Sequence, residues 1–322
     1  TDPTSLGVPP GLGWALVFTP SLGAVSRWFP SHRPLATGLA VSGAAASGLA
    51  LGPLVPLALE RYGWRGALLL LAAVSLNLVA AAALLRPPPS IPTVTTTTKP
   101  THEEPPALLA LLRHGPFLRF AASFALLDAG YYVPFVHGAA RAHELGGGPR
   151  AAGAVLAAMA VADGAGRLLA GWLAARPASA PLLWHLRGWA ALAGVLALML
   201  PLAGGPGGLA ALAAAYGGCA GAVAPLQFAG AAEVAGQGRE ELGIGLMQVV
   251  ESAGSLLGAP LAGWLRDLTG DFTVSFLTAG AFLLAGTLLL LTLLQGVHNP
   301  TPTPDSPENP PEPPKAALEP SV

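Results

Sequence analysis

The feature that most constrains this chain is a succession of apolar runs, each close to the length that crosses a lipid bilayer. A helix needs about 20 predominantly apolar residues to span the hydrocarbon core, and nine such runs can be drawn along the sequence. Only 10% of the residues are charged and the mean hydropathy is +0.57, whereas a soluble domain usually carries about 25% charge. The sequence therefore predicts an all-α polytopic membrane protein.

Two polar stretches divide the predicted spans into groups. Residues 87–116 are rich in Pro and Thr and residues 296–322 are rich in Pro, and neither composition can bury a core. We expect a partial N-terminal helical half over 1–86, a linker over 87–116, a six-helix C-terminal half over 117–295 and a disordered tail over 296–322. The predicted spans are 11–25, 35–59, 66–85, 117–140, 151–175, 182–202, 209–231, 242–265 and 274–294.

The basic residues are distributed unequally over the two sides of the membrane that these spans define. Ten Lys and Arg residues lie on the side that carries the linker and the C-terminus, five lie on the other side, and Arg167 lies inside a span. Loops rich in Lys and Arg stay in the cytoplasm, so the linker and the C-terminus are predicted to be cytoplasmic. A net charge of −1 gives no reason to expect a nucleic-acid partner.

An internal repeat relates the two sides of the linker. The segments GLAVSGAAASGLALGP (38–53) and GLMQVVESAGSLLGAP (245–260) both place Gly and Pro fifteen residues apart, with an offset of 207 residues. Ten residues after its proline, each segment reaches a glycine at a predicted helix boundary, Gly63 or Gly270. Such repeats are typical of transporters built from related bundles. Because six spans follow the linker and three precede it, we expect three further helices before residue 1.

A pair of opposite charges lies in the middle of the fifth predicted span. In VADGAGRLLAG (161–171), Asp163 precedes Arg167 by four residues, which is the favourable orientation for an ion pair on a helix. One unpaired charge at the bilayer centre costs about 2.5–3.5 kcal/mol, so the two are expected to pair. Two interpretations remain open: an ion pair that only holds helices together, or a proton-accepting Asp163 beside an Arg167 that binds a substrate carboxylate.

Other polar residues inside the spans are weaker candidates. Asp128 comes just before Tyr131 and Tyr132; these side chains either line the same pathway, with Asp128 in proton coupling and the tyrosines in substrate binding, or make local hydrogen bonds. Glu251 and Gln248 lie one helical turn apart, and interhelical bonding competes with a pathway role for them. We find no metal-spaced His and Cys set, no phosphate-binding glycine loop and no nucleophile motif. The sequence therefore predicts no enzyme activity, no cofactor and no metal.

Several short motifs resemble those of the monocarboxylate transporter family (solute carrier family 16), a branch of the major facilitator superfamily. They are WFPSHRPLATGLAVSG (28–43), YGWRGALLLL, HGPFLRF and GYYVPFVH, together with the Asp163 and Arg167 pair. The first motif is similar to the signature at the start of the family's fifth helix. Its matching residues are Trp28, Phe29, Arg33, Leu35, Ala36, Gly38 and Gly43.

This resemblance implies a major facilitator fold in which the chain supplies helices 4–12 of twelve. It also implies proton-linked symport of a lactate- or pyruvate-like monocarboxylate by alternating access, with a single-span immunoglobulin-like glycoprotein as an ancillary partner. The plasma membrane is the implied location, with the Golgi and the endoplasmic reticulum as alternatives. Two other functions stay open: a major facilitator carrier of another organic solute, and a membrane receptor or scaffold without transport.

Overall fold

The computed structural model describes residues 3–85, 107–176 and 180–297. Within these ranges the chain forms eleven α-helices and one short 3-10 helix. The α-helices are α1 (Pro3–Trp28), α2 (Arg33–Ser75), α3 (Asn77–Leu84), α4 (Ala107–Leu112), α5 (Gly115–Tyr131), α6 (Val133–Glu144), α7 (Pro149–Ala174), α8 (Leu182–Met199), α9 (Pro206–Ala235), α10 (Glu240–Thr269) and α11 (Thr273–Val297).

The prediction of an all-α membrane protein is confirmed, and seven segments of the described helices are long and apolar enough to span a membrane. Of the predicted spans, 11–25 lies in α1 and 117–140 lies in α5 and α6, and neither is among the seven. Part of the predicted linker, residues 107–112, forms α4, whose Leu111 is fully buried. The rest of the linker up to residue 106 lies outside the described residues, as do tail residues 298–322.

The predicted span 117–140 is divided between two helices. The chain breaks at Tyr132, which ends α5, and a second helix, α6, starts at Val133. Pro134 is the physical reason, because it lacks the N–H group that a continuous helix would use and its ring crowds the preceding turn. The break places two adjacent tyrosines at a helix junction, where Tyr131 is buried and Tyr132 is half exposed.

The two glycines that follow the internal repeat occupy equivalent positions. Gly63 interrupts α2 with a φ of 65° and Gly270 ends α10 with a φ of 85°, conformations that other residues rarely adopt. Residues on both sides of Gly63 line one cavity of about 380 Å³, including Leu51 and Val74. The chain therefore folds back on itself at Gly63, at the boundary between the second and third predicted spans.

The most buried helix is α9, which packs along α7 through glycines. A Cβ atom on Gly166 would lie 2.0 Å from the carbonyl oxygen of Gly218, and one on Gly221 would lie 2.2 Å from that of Asp163. Only glycine permits so close an approach of two backbones, as is common where helices pack in membranes. This contact fixes the part of α7 that carries the predicted ion pair.

The ends of the helices define two faces of the protein. We call the face reached by the end of α1 and the start of α10 the linker face, and the face reached by the ends of α6 and α10 the opposite face. On the linker face, Arg27 pairs with Glu241 at 2.6 Å. On the opposite face, Glu144 pairs with Arg141 at 3.0 Å and with Arg266 at 3.6 Å.

The N-terminal helices α1 and α2 contact the C-terminal half mainly through α7, α9 and α10. Along the α2–α7 crossing, a Cβ atom on Gly171 would lie 2.7 Å from the Pro34 carbonyl oxygen, and one on Gly38 would lie 2.8 Å from that of Arg167. Deeper in the protein, a Cβ atom on Gly164 would lie 3.0 Å from Ala45. The two halves are therefore tightly packed from the linker face inwards.

Candidate functional site

The charged pair predicted on α7 is formed in the structure. The Nε atom of Arg167 donates to Asp163 Oδ2 at 2.8 Å and its Nη2 atom donates to Asp163 Oδ1 at 3.2 Å. The third bond leaves the helix, because Arg167 Nη1 donates to the backbone oxygen of Val41 on α2 at 3.3 Å. Both side chains are largely buried, with exposures of 15% for Arg167 and 8% for Asp163. One guanidinium thus joins a carboxylate on its own helix to the other half of the protein.

Arg167 opens onto a cavity of about 730 Å³ between the two halves. Asp163 is not among the residues that line this cavity, so the guanidinium lies between the carboxylate and the open space. The cavity is lined by side chains from α1, α2, α5, α7, α9 and α10. The predicted candidates on its wall are Arg167, Asp128, Tyr131, Tyr132, Gln248 and Glu251.

Hydrogen bonds between helices hold the polar side of the cavity. Ser255 Oγ donates to Asp128 Oδ2 at 3.2 Å, joining α10 to α5. The side-chain amide of Gln227 on α9 donates to the carboxylate of Glu251. Sequence reasoning missed Ser255 and Gln227, although a Gln in the otherwise apolar α9 was a usable signal. Asp128 and Glu251 therefore make local hydrogen bonds and also line the cavity. The two alternatives considered for these residues are both present.

A third interhelical bond crosses between the two halves. Thr19 Oγ1 on α1 donates to Gln248 Oε1 on α10 at 2.7 Å. Both side chains line the cavity, and the Arg27–Glu241 pair lies nearer the linker face on the same two helices. The Thr19 contact could not be predicted from the sequence, because Thr19 and Gln248 are separated by 229 positions.

Aromatic rings form the apolar side of the cavity. Trp14 stacks on Phe18 with ring centroids 5.0 Å apart, and Phe18 meets the edge of Phe228 at 5.4 Å. Tyr131 and Tyr132 are in edge contact at 4.9 Å. Sequence reasoning missed Trp14, Phe18 and Phe228, since aromatic residues on membrane helices usually contact lipid or the core. The cavity therefore offers a cation, carboxylates, amides and apolar rings to one bound molecule.

The signature residues lie at the end of α1, in the turn that follows and in the first part of α2. Most of the contacts described for them are between helices or with the backbone. Gly38 allows the crossing with α7, and Gly43 lines the cavity. Arg33 donates to the Ser26 backbone oxygen at 3.4 Å. The side chains of Trp28 and Phe29 are about half exposed at the linker face, with exposures of 44% and 53%.

Comparison with known proteins agrees with this architecture. The sequence model of the Major Facilitator Superfamily matches residues 6–237 and 119–320. Monocarboxylate transporter 13 of Bos taurus is 46% identical over 289 residues, covering 90% of this chain and 66% of that protein. Monocarboxylate transporter 11 of Homo sapiens is 41% identical over 314 residues, covering 95% of this chain and 66% of that protein. The chain spans about two thirds of the length of these relatives.

A solved structure has the same fold. The fucose:proton symporter of E. coli (N162A) superimposes with a TM-score of 0.63 at 18% sequence identity, covering 82% of this chain and 70% of the symporter. The resemblance drawn from the sequence motifs is thus supported by relatives that are named monocarboxylate transporters and by the fold of a membrane transporter. This chain belongs to the major facilitator superfamily.

Proposed function

We propose that this chain carries the substrate site of a monocarboxylate transporter that moves one anion together with one proton by alternating access. The observation that carries the proposal is the Asp163–Arg167 pair, held in a membrane helix with its guanidinium on the wall of the cavity. The names of the relatives, monocarboxylate transporters 13 and 11, support the substrate class.

Arg167 is the anion-binding group in this proposal. A guanidinium keeps its charge inside a protein and presents a planar fork that matches a carboxylate. In the structure two of its nitrogens bond to Asp163 and the third to the Val41 carbonyl oxygen. A guanidinium has five N–H donors, so a substrate carboxylate uses the two that remain or replaces one of these partners. Tyr131 and Tyr132, on the same cavity wall, are proposed to contact the bound acid.

Asp163 is the proton-coupling group, with Asp128 as a second candidate. While Asp163 is ionised it neutralises Arg167, and when it takes a proton the guanidinium fork becomes available to the anion. One proton and one monoanion then cross without net charge. The membrane potential, worth about 2.3 kcal/mol per charge per 100 mV, therefore does not oppose their movement.

The bond from Arg167 to Val41 links substrate binding to the packing of the two halves. Val41 belongs to α2, and the bond forms where α2 and α7 are in close contact. A carboxylate that takes Nη1 away from Val41 removes one of the contacts that hold the halves together on the linker side. Substrate binding can thereby favour separation of the halves, as rocking-bundle transport requires.

The orientation, location and partner are proposed on sequence grounds. The excess of Lys and Arg on the linker side supports a cytoplasmic linker and C-terminus. Similarity to the monocarboxylate transporters is our reason for proposing the plasma membrane and a single-span immunoglobulin-like glycoprotein as ancillary partner. The same similarity supports the absence of an enzymatic reaction.

Uptake of radiolabelled L-lactate after a pH jump, normalised to surface protein, tests the proposal in the full-length protein. Arg167→Lys keeps the charge but loses the fork, so uptake is expected to fall about tenfold or more. Asp163→Asn should abolish the dependence of uptake on the proton gradient. The matched controls, Arg266→Lys and Asp267→Asn on the exposed opposite face, should leave uptake unchanged. Proton-coupled uptake at the wild-type level in Asp163→Asn would refute the proposal.

A purely structural pair gives a different result. Each single substitution then leaves one buried charge without its partner, and surface expression falls because such a charge is costly in a membrane. The exchange Asp163→Arg with Arg167→Asp would restore expression and uptake together if the pair were only a contact between helices. Under the proposed mechanism, the exchanged protein reaches the membrane but does not transport.

A further inference from the structure

Four polar residues lie on one face of α10 and line the cavity together. Gln248, Glu251, Ser252 and Ser255 are spaced at 0, 3, 4 and 7 positions, which places them on a single helical face. On the same helix, Leu256 is 75% exposed and does not line the cavity. Polar residues within membrane helices are costly unless they face the protein interior or a water-filled cavity. The position of these four residues on the cavity wall therefore points to a role inside the cavity.

Three other helices complete a polar wall around the stripe. Asp128 of α5 accepts from Ser255, Gln227 of α9 donates to Glu251, and Thr19 of α1 donates to Gln248. All of these side chains line the cavity. We use the name polar wall for the seven residues Thr19, Asp128, Gln227, Gln248, Glu251, Ser252 and Ser255.

The polar wall is rich in hydrogen-bond acceptors. It contains two carboxylates, and a carboxylate accepts hydrogen bonds at about four lone-pair positions. The described side chains supply one donor to Asp128, from Ser255, and one to Glu251, from Gln227. Among the residues described on the cavity wall, Arg167 is the only Lys or Arg, and it already binds Asp163. The acceptors of the wall are therefore available to a ligand that donates.

The remaining lining of the cavity is compatible with the same kind of ligand. Trp14, Phe18 and Phe228 provide an apolar surface. Asp128, Glu251 and Arg167 line this one cavity, so the acceptors and the anion-binding cation surround one space.

We propose that the polar wall is a second subsite, which binds a hydrogen-bond-donating group of a substrate whose carboxylate is held by Arg167. The substrate class is then a carboxylic acid that carries a second polar group, a hydroxyl or an ammonium, at the end away from the carboxylate. This inference rests on the proposed function, because it takes Arg167 as the carboxylate site. Glu251 is the residue that sets a preference for acids that carry an ammonium group.

Competition with three four-carbon acids tests the subsite in the full-length protein. Butyrate has no second donor, 3-hydroxybutyrate adds a hydroxyl and 4-aminobutyrate adds an ammonium; each competes with radiolabelled L-lactate uptake. At least one donor-bearing acid is expected to inhibit about tenfold more strongly than butyrate, since hydrogen bonds to charged groups are the stronger ones. Glu251→Gln removes the charge but keeps an acceptor oxygen. The substitution should therefore abolish any preference for 4-aminobutyrate over butyrate and retain any preference for 3-hydroxybutyrate over butyrate.

Controls and a second measurement separate the outcomes. Leu256→Val, at an exposed position of the same helix that does not line the cavity, should leave all three inhibition constants unchanged. If Glu251→Gln does not reach the surface, the melting temperature of the purified wild-type protein with each acid still ranks their affinities, because ligands stabilise in proportion to binding. Equal affinities of the three acids overturn the proposal, as does an equal loss for all three in Glu251→Gln. If Arg167→Lys leaves butyrate inhibition unchanged, the proposed function fails instead.

Discussion

Substitution of Gly171 by alanine should weaken the packing of the two halves at the linker face. A Cβ atom at this position would lie 2.7 Å from the Pro34 carbonyl oxygen and 3.2 Å from Leu35 Cα, whereas ordinary contact begins at 3.4 Å. Because the nearest atoms belong to the backbone, no side-chain rotation can relieve the overlap. The α2–α7 crossing must therefore open by about 0.7 Å, the difference between 2.7 and 3.4 Å.

The size of the effect follows from the cost of overpacking. Inserting a methyl group into a close contact typically costs about 1–3 kcal/mol, and each 1.4 kcal/mol changes a population ratio about tenfold. The added methyl also favours the helix itself by about 1 kcal/mol. Gly48→Ala is the matched control, since it lies on α2 and a Cβ there has nothing within 4 Å. Relative to this control, the population of the state that is closed on the linker side should fall about fivefold or more.

The assay is the rate at which a cysteine in the cavity reacts with a membrane-impermeant maleimide. Ser47 lines the cavity and is replaced by cysteine, while the chain's single native cysteine, Cys219, is buried. With reagent on the linker side, Gly171→Ala should react about fivefold faster than Gly48→Ala. Equal rates in the two variants, with equal amounts of folded protein, would show that the crossing does not control access.

Three further predictions concern other contacts. Arg27→Glu should raise the same labelling rate only about 1.4- to fivefold, because exposed ion pairs contribute about 0.2–1 kcal/mol. Adding Glu241→Arg should reverse the change, and high salt should remove it. Gly221→Val should prevent accumulation of folded protein on size-exclusion chromatography, since even its Cβ would lie 2.2 Å from an α7 carbonyl oxygen. A side-chain hydrogen bond at the start of α11 lowers the pKa of Asp271, so its ionised form stabilises the fold above the ordinary pKa of about 3.9. The melting temperature lost in Asp271→Ala should therefore shrink as the pH falls from 7 through this value.

The sequence could predict those features that depend on local spacing. The ion pair of Asp163 and Arg167 follows from a separation of four residues on one helix. Gly63 and Gly270 could be placed at helix boundaries because the repeat aligns them, and both have positive φ angles. These features need no knowledge of how distant helices pack, because the spacing along one helix, or the equivalence of two segments, contains the information.

Features that depend on contacts between distant helices could not be predicted in this way. The Gly38–Gly171 crossing joins residues 133 positions apart, and nothing in the sequence of α2 indicates which glycine meets α7. Gly43, on the same helix, has nothing within 4 Å of its Cβ position. The break at Tyr132 is a different case, since Pro134 is visible in the sequence but the apolar run indicates only the extent of the span.

Under the proposed mechanism, substrate binding and the closure of the halves act on the same atoms, those of Arg167. Its fork bonds to Asp163, and its remaining nitrogen bonds to Val41 on the other half. The backbone carbonyl of Arg167 is also the atom nearest to the Cβ position of Gly38. A change in the charge of Asp163 therefore alters the group that bridges α2 and α7 directly, without a longer chain of intermediates. The proposed coupling needs only one helix, α7, that carries both the charged pair and the close contact with the N-terminal helices.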